Sequence, residues 1–173
     1  KNGVIIQQQD TPNDPTSIIV LPETLEAIKM LRMKGYNIVI FSNESKISKG
    51  EITIDEVEKS NQRLMEIFGN YGIQSITGLF YSTTNLKEDI YSMPNNGMLK
   101  KAEKETKVKF KGGYFVGDKL QDLKVAESVH AIPILLHQGL YTETKEKLKT
   151  FANRNLRTKV KEYQSLLDFA TSL

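Results

Sequence analysis

The chain has 173 residues, of which 39% are hydrophobic and 26% are charged, and its formal net charge is +3 at pH 7. This length suits one domain with a buried core and is too short for two domains of ordinary size, so we expect a single domain over residues 1–173. No apolar stretch approaches the roughly 20 residues of a membrane-spanning helix. The small net charge, with Lys and Glu interleaved along the chain, argues against a nucleic-acid partner.

Two residue types limit the metal and redox chemistry of the chain. It has no cysteine and only two histidines, His130 and His137. Disulfides, Cys-ligated zinc and His-rich metal sites are therefore excluded, so no zinc is expected. This composition does not fix the compartment. We expect a soluble intracellular protein, and a first residue of Lys1 instead of Met is compatible with a mitochondrial or other organellar location.

The first half of the chain predicts short strands that alternate with helices. Apolar runs bounded by Pro, Gly and polar residues predict strands, and apolar residues three or four apart predict helices. Thr53 and Glu56 have the spacing of a capping box at a helix start. The predicted elements are a strand at 4–6, a polar loop at 7–17, a strand at 18–21, a helix at 22–35, a strand at 37–41, a polar loop at 42–50 and a helix at 53–68.

The second half continues the alternation and ends in a C-terminal helical tail at residues 140–173. Strands that alternate with helices predict a parallel sheet with helices on both faces, joined by right-handed crossovers. The predicted elements are a strand at 79–81, a long loop at 82–96, a helix at 97–106, a strand at 113–116, a helix at 120–128, a strand at 132–136, a helix after Glu143, an edge strand near Val160 and a last helix at 166–169.

The most informative motif directly follows the predicted strand at 113–116. Gly117 and Asp118 come first, and Asp122 lies four residues after Asp118. Open α/β sheets bind ligands at the carboxyl ends of their strands, and a pair of carboxylates there commonly holds Mg²⁺. A structural role is equally compatible, because Asp118 can accept backbone hydrogen bonds and Asp122 can cap the following helix.

Five segments together resemble one protein family. They are KNGVI at 1–5, VIFSNES at 39–45, ISKG at 47–50, MPNNGML at 93–99 and VGDKLQD at 116–122. Their order and spacing are similar to those of the haloacid dehalogenase (HAD) superfamily, most closely its heptose-bisphosphate and histidinol-phosphate phosphatase branch, a cousin of the polynucleotide 3′-phosphatase domain. The resemblance covers about residues 1–140. It implies a three-layer α/β fold, Rossmann-like, with helices on both faces of a parallel sheet and no large cap domain.

The resemblance assigns a degenerate first motif. Family members carry Asp-x-Asp-Gly at the end of the first, central strand, where the first Asp attacks phosphorus and the second is the general acid and base. Asn2 stands in place of the second Asp, and the first would fall one residue before Lys1. The resemblance therefore implies a central strand upstream of Lys1.

The other motifs are partly retained. By resemblance, Ser42 and Asn43 bind a phosphoryl oxygen, and Lys49 contacts a second phosphate of the substrate. Met93 stands where the family has a lysine that neutralises charge, so the resemblance implies that this charge is lost unless Lys46, Lys49 or Lys119 replaces it. The zinc loop of this branch lacks its Cys and His ligands here. Only the fourth motif is complete, and its residues Asp118 and Asp122 are the expected ligands if Mg²⁺ is bound; no other cofactor is expected.

These losses predict that the domain is catalytically inactive. Loss of a general acid or base costs a factor of roughly 10² to 10⁴ in rate, and loss of one preorganised charge stabiliser costs roughly 3–4 kcal/mol. We therefore expect a structural or interaction subunit of a larger assembly, with other protein subunits as partners. Two alternatives remain. One is a Mg²⁺-dependent phosphatase acting on a small phosphorylated metabolite or a nucleic-acid 3′-phosphate, and the other is a binder of a phosphorylated small molecule that does not hydrolyse it.

Overall fold

The computed structural model describes residues 1–7, 17–137 and 160–173. Helices and strands alternate through most of these residues, as the sequence predicts. In chain order, the elements are α1 (Thr24–Met33), β1 (Val39–Asn43), α2 (Ile54–Asn70), β2 (Gly78–Ser82), α3 (Gly97–Thr106), β3 (Tyr114–Gly117), α4 (Leu120–Ser128), β4 (Ile132–Leu136), β5 (Lys161–Tyr163) and α5 (Leu166–Ser172).

All strand pairs between these elements are parallel and form two groups. In the first group β1 pairs with β2, with Phe41 opposite Phe80. In the second group β4 lies between β3 and β5. Within the described part of the chain β1 and β3 do not pair with each other. The backbone nitrogen of Lys1 donates a hydrogen bond to the Phe41 carbonyl at 2.6 Å, so the start of the chain lies beside β1. A central strand upstream of Lys1 stays a prediction.

Helices lie on both faces of the two strand groups and give the three layers of the predicted fold class. One apolar cluster joins α1, α2 and α5 to one face; it contains Ile28, Leu64 and Phe169. A second cluster joins α3 and α4 to the other face and is built around Phe41 and Leu99. Because each helix buries residues spaced three or four apart, its polar side is left toward solvent. The α/β prediction is confirmed.

Helix α2 shows how local sequence sets an element that positions the site. Thr53 and Glu56 form the predicted capping box, in which the Thr53 amide donates to Glu56 Oε2 at 2.7 Å and the Glu56 amide donates to Thr53 Oγ1 at 3.2 Å. These bonds satisfy amides that have no partner inside the helix. The helix therefore begins just after the loop that follows β1.

Several predicted boundaries are wrong or shifted. The predicted strand at 4–6 does not form: residues 3–5 make a turn in which the amides of Val4 and Ile5 point to the Lys1 carbonyl, and Ile6 makes isolated bridges. The predicted strand at 18–21 is reduced to an isolated bridge between Ile6 and Val20, and β1 begins two residues later than predicted. The edge strand predicted near Val160 is confirmed as β5. The helix predicted after residue 143 lies largely outside the described residues.

None of the helices in the described part of the chain combines the length and the apolar character needed to cross a membrane.

Candidate active site

Asp118 is the buried carboxylate at the carboxyl end of β3. The residue is 2% exposed. Its side chain packs against Gly3, where an added Cβ atom would lie 2.2 Å from Asp118 Oδ2. Burial raises the pKa of Asp118, and the positive charge of Lys119 partly opposes that rise. The first and fourth motifs of the sequence are therefore in contact, and this contact requires glycine at position 3.

Asp122 supports the loop that carries Asp118. Its Oδ2 atom accepts hydrogen bonds from the backbone amides of Asp118 at 3.1 Å and Lys119 at 3.2 Å. Gly117 leaves room for this carboxyl group, because a Cβ atom there would lie 2.2 Å from the Asp122 Cβ atom. Burial, and then the negative charge of Asp118, raise the pKa of Asp122 to about 6. One carboxylate oxygen of Asp122 is thus used to hold the loop.

Ser42 presents a buried hydroxyl at the carboxyl end of β1. The residue is 4% exposed. Its Oγ atom has no partner in hydrogen-bonding geometry among the described residues, although the hydroxyl is near enough to help lower the pKa of the Glu44 carboxyl. A buried hydroxyl normally finds a partner, so this one is available to an oxygen of a bound ligand.

Asn43 uses its side chain to hold the segment that contains Met93. Its Nδ2 atom donates to the Met93 carbonyl at 2.8 Å, and its Oδ1 atom accepts from the Met93 amide at 3.0 Å. Ser82 Oγ also donates to Asn43 Oδ1 at 3.1 Å. Met93 is buried beside Phe41 in the second apolar cluster. The Asn43 side chain therefore positions the third motif, and a role of Asn43 in phosphate binding stays a prediction.

Of the lysines that the sequence nominates as a source of positive charge, Lys119 is best placed. It lines the same cavity as Asp118 and acts on the pKa of that carboxyl. Lys46 lines a second, smaller cavity. Lys49 lies apart: its side chain is 57% exposed, and its Nζ atom is 3.8 Å from Glu51 Oε1. The structure brings Lys119, not Lys49, to the carboxylates.

An ion pair that the sequence does not predict closes one side of the site. Lys1 Nζ lies 2.7 Å from Glu44 Oε1, and both side chains are almost completely buried. The same ammonium donates to Asn61 Oδ1 on α2 at 2.9 Å. Burial by itself would raise the pKa of Glu44, but the adjacent Lys1 ammonium outweighs this and lowers it. Glu44 is therefore held ionised beside the Ser42 hydroxyl.

Two cavities meet at these residues. The larger, of about 440 Å³, lies between β1 and β3, where the family resemblance puts the central strand, and its polar end is lined by Ser42, Asp118, Asp122 and Lys119. The smaller, of about 290 Å³, is lined by polar side chains from the loop after β1 and from α2, including Ser45, Lys46 and Ser60. Asn2 and Lys119 line both cavities. A ligand could therefore place one end against Asp118 and extend past Asn2.

The carboxylates fit Mg²⁺ in number and type. Mg²⁺ is usually held by one or two carboxylates, with waters and substrate phosphate completing its shell. Asp118 would be the direct ligand, and Asp122 holds the Asp118 backbone. No group of three or more His, Cys, Asp or Glu side chains with metal-site spacing occurs among the described residues.

A protein-family model described as polynucleotide kinase 3 phosphatase matches residues 4–131. The chain belongs to the polynucleotide kinase 3 phosphatase family. This match confirms the resemblance to the HAD superfamily that the five sequence segments show. The curated relatives of the chain support its place in the heptose-bisphosphate phosphatase branch.

Those relatives are named as phosphatases. The D-glycero-beta-D-manno-heptose-1,7-bisphosphate 7-phosphatase of Pseudomonas aeruginosa is 29% identical over 142 residues, which is 80% of this chain and 79% of the relative. The enzyme of the same name from Mesorhizobium japonicum is 26% identical over 134 residues, covering 73% of this chain and 62% of the relative.

A solved structure confirms the fold. The D,D-heptose 1,7-bisphosphate phosphatase of B. bronchiseptica, in complex with magnesium and phosphate, superposes with a TM-score of 0.84 at 22% identity. The alignment covers 99% of this chain and 93% of that one. This structural similarity supports the HAD fold class. The magnesium and phosphate are ligands of the B. bronchiseptica protein.

These relatives contradict the prediction of a catalytically inactive structural subunit, because the proteins that this family member matches are named as phosphatases. That prediction relied on two missing groups, the general acid at Asn2 and the lysine charge at Met93. It gave little weight to another lysine that could supply the charge. The structure places Lys119 in the same cavity as Asp118, where its charge lowers the pKa of that carboxyl, and leaves the buried Ser42 hydroxyl with no partner in hydrogen-bonding geometry among the described residues. The accompanying expectation of protein partners stays a prediction.

Proposed function

We propose that this protein is a HAD-type phosphomonoesterase that acts on a small phosphorylated molecule. One observation carries the proposal: Ser42, Asp118 and Lys119 line a single cavity at the carboxyl ends of β1 and β3. Phosphoryl transfer needs hydrogen-bond donors, a metal carboxylate and positive charge around one phosphorus atom, and these residues supply all three. The names of the curated relatives support the same reaction.

Each group has a distinct role in this proposal. The Ser42 hydroxyl donates a hydrogen bond to a phosphoryl oxygen, and the Lys119 ammonium balances negative charge that Met93 cannot. Asp118 would hold Mg²⁺, which supplies further positive charge to the phosphoryl oxygens when bound. The family resemblance puts the attacking carboxylate at the residue preceding Lys1, and Lys1 itself is anchored by its ion pair with Glu44.

The smaller cavity favours a compact, polar substrate. Its volume is about 290 Å³, and its described lining combines hydroxyl, amide, carboxylate and lysine side chains with four aliphatic ones and carries no aromatic ring; the aliphatic residues are Ile6, Ile18, Ile52 and Val57. Single nucleic-acid bases are usually held by stacking on aromatic side chains. Hydroxyl and amide groups instead suit a polyol. Sugar phosphates are therefore the first class to test, consistent with the heptose substrate in the relatives' names.

The test is phosphate release by the full-length protein with Mg²⁺ from a panel of sugar mono- and bisphosphates, 4-nitrophenyl phosphate and a 3′-phosphorylated oligonucleotide. We expect turnover of small-molecule substrates and a loss of about 10-fold or more in Ser42→Ala, since one donor to the phosphoryl group is removed. Ser128→Ala is the matched control, because that hydroxyl bonds to the Val125 carbonyl within α4. Absence of release from every compound would refute the proposal.

A further inference from the structure

The ammonium group of Lys1 is fixed where the two cavities meet, since Lys1 lines both of them. Its Nζ atom lies 2.7 Å from Glu44 Oε1 and donates a hydrogen bond to Asn61 Oδ1 at 2.9 Å. All three residues are buried, and the Lys1 side chain is only 4% exposed. An ammonium that moved toward a bound phosphate would have to leave both partners. The charge of Lys1 is therefore committed to Glu44.

The Glu44 side chain lies on the same side of the backbone as Ser42. The Glu44 amide donates to the Ser82 carbonyl at 2.8 Å, which extends the pairing of β1 with β2 by one residue. Side chains two positions apart on an extended backbone point to the same side. In agreement, the Ser42 hydroxyl is close enough to the Glu44 carboxyl to help lower its pKa. A full negative charge therefore lies next to the hydroxyl that we assign to the phosphoryl group.

A carboxylate in this place would oppose phosphate binding if its charge were not balanced. A phosphoryl group carries about 1.5 to 2 negative charges near pH 7. Like charges a few ångströms apart repel strongly where water is excluded. Asp118 already contributes a carboxyl group to the larger cavity, and the charge of Lys119 acts on that carboxyl. Glu44 therefore needs a cation of its own, and the ammonium in contact with it is that of Lys1.

We propose, on the basis of the function above, that the Lys1–Glu44 pair sets the affinity of the site for the phosphoryl group, because Lys1 cancels the charge of Glu44 beside Ser42. The intact pair is neutral. Loss of the ammonium leaves a net negative charge next to the phosphate site, and loss of the carboxylate leaves a net positive one. The two losses should therefore change phosphate binding in opposite directions. A purely structural pair behaves differently, since breaking it from either side leaves a buried unpaired charge that disturbs the site.

The experiment measures the dissociation constant of inorganic phosphate by calorimetry, with Mg²⁺, in the full-length wild type, Lys1→Met, Glu44→Gln and the double variant. We expect phosphate to bind about 10-fold or more weakly in Lys1→Met, where a carboxylate is left unbalanced, and more tightly by a similar factor in Glu44→Gln, where an ammonium is left. The double variant should return toward the wild-type value. Weaker binding in both single variants, or no change in either, would overturn the inference.

The exposed pair of Lys59 and Asp55 on α2 is the matched control, because its atoms Nζ and Oδ2 are also 2.7 Å apart. Lys59→Met and Asp55→Asn should leave phosphate affinity unchanged, since salt and water screen exposed charges. If Lys1→Met does not fold, Glu44→Gln decides alone: tighter binding supports the inference, and weaker or unchanged binding overturns it. A wild type that neither binds phosphate nor releases it from any substrate would instead refute the proposed phosphatase function, and this inference with it.

Discussion

Asp118 reaches its position because Gly3 has no side chain: a Cβ atom at residue 3 would lie 2.2 Å from Asp118 Oδ2. Gly3 also has a φ of +81°, in the left-handed region that favours glycine. The start of the chain and the carboxyl end of β3 are therefore fitted to each other through one contact. Because Asn2 precedes Gly3, the same contact also fixes the position of the Asn2 backbone.

Gly3→Ala should separate these two segments. Alanine in the left-handed region costs about 1–2 kcal/mol in any context, and here the methyl group would also displace the Asp118 carboxylate. Gly112→Ala is the control, because its φ is +77° and an added Cβ atom meets nothing within 4 Å. We expect similar backbone strain in both variants by urea unfolding, but lost phosphate release only in Gly3→Ala. Equal activity in the two variants would contradict the assigned contact.

The Asn43 side chain should stabilise the segment at Met93. Asn43→Ala leaves the Met93 amide and carbonyl without their partners, each at about 3 Å in the wild type, and an unmet buried polar group costs about 1–3 kcal/mol. We expect a loss of this size in urea unfolding and faster hydrogen exchange at the Met93 amide. Asn37→Ala is the comparison, because Asn37 is exposed and accepts a long hydrogen bond of 3.4 Å from the Thr77 hydroxyl. Unchanged exchange at Met93 would count against this contact.

Lys119 should supply catalytic charge. Lys119→Met removes the ammonium next to Asp118, and we expect kcat to fall by about 10² to 10³, the usual effect of losing one preorganised stabiliser. Lys119→Arg should retain part of the activity, since the charge is kept. Lys101→Met on the exposed side of α3 is the control, because Lys101 Nζ only approaches Glu105 at 3.9 Å. A Lys119→Met variant with wild-type turnover would show that the positive charge comes from elsewhere.

Glu44 should contribute to acid sensitivity. Burial alone would raise the pKa of the Glu44 carboxyl, but the Lys1 ammonium, helped by the Ser42 hydroxyl, lowers this pKa below the ordinary 4.5. The charge of Glu44 in turn helps to raise the pKa of the nearby Tyr81 hydroxyl. A depressed carboxyl pKa stabilises the fold above the unfolded-state value, and this stabilisation is lost as the pH falls through the folded-state pKa. Between neutral pH and pH 3 or so, we therefore expect the free energy of unfolding to fall less steeply in Glu44→Gln than in the wild type.

The control for this titration is Glu66→Gln, which removes a carboxylate that pairs with Arg63 on the exposed side of α2. Urea unfolding at a series of pH values measures all three proteins. Parallel curves for the wild type and Glu44→Gln would exclude a stabilising role for the ion pair.

Much of the fold could be predicted from local sequence. Helices α3 and α4 have the predicted bounds, and the Thr53–Glu56 capping box forms as predicted. These features depend on residues within one or two turns of each other. Residues 4–6 show the limit: Val4 and Ile5 favour a strand, but the Lys1 carbonyl draws their amides into a turn. Strand preference largely reports fit to neighbouring strands, which a single segment does not reveal.

The sequence predicted the site about as fully as it predicted the fold. Motif order placed Asn2, Ser42 and Asp118 together, and the structure finds them around one cavity. The Lys1–Glu44 ion pair and the Asn43–Met93 bonds join residues more than 40 positions apart, and no periodicity or local spacing marks such pairs. Lys119 was recognised only as one of several lysines, because its position relative to the carboxylates depends on the turn that Asp122 holds.

The most direct test of the phosphatase account is the Mg²⁺ dependence of phosphate release by the full-length wild type and its Asp118→Asn variant. Asp55→Asn serves as control, because that carboxylate is exposed on α2 and pairs with Lys59. We predict release that saturates with Mg²⁺ and stops with a chelator in the wild type and in Asp55→Asn, and that falls by about 10² or more in Asp118→Asn. Release that is indifferent to Mg²⁺, or that survives in Asp118→Asn, would contradict the account.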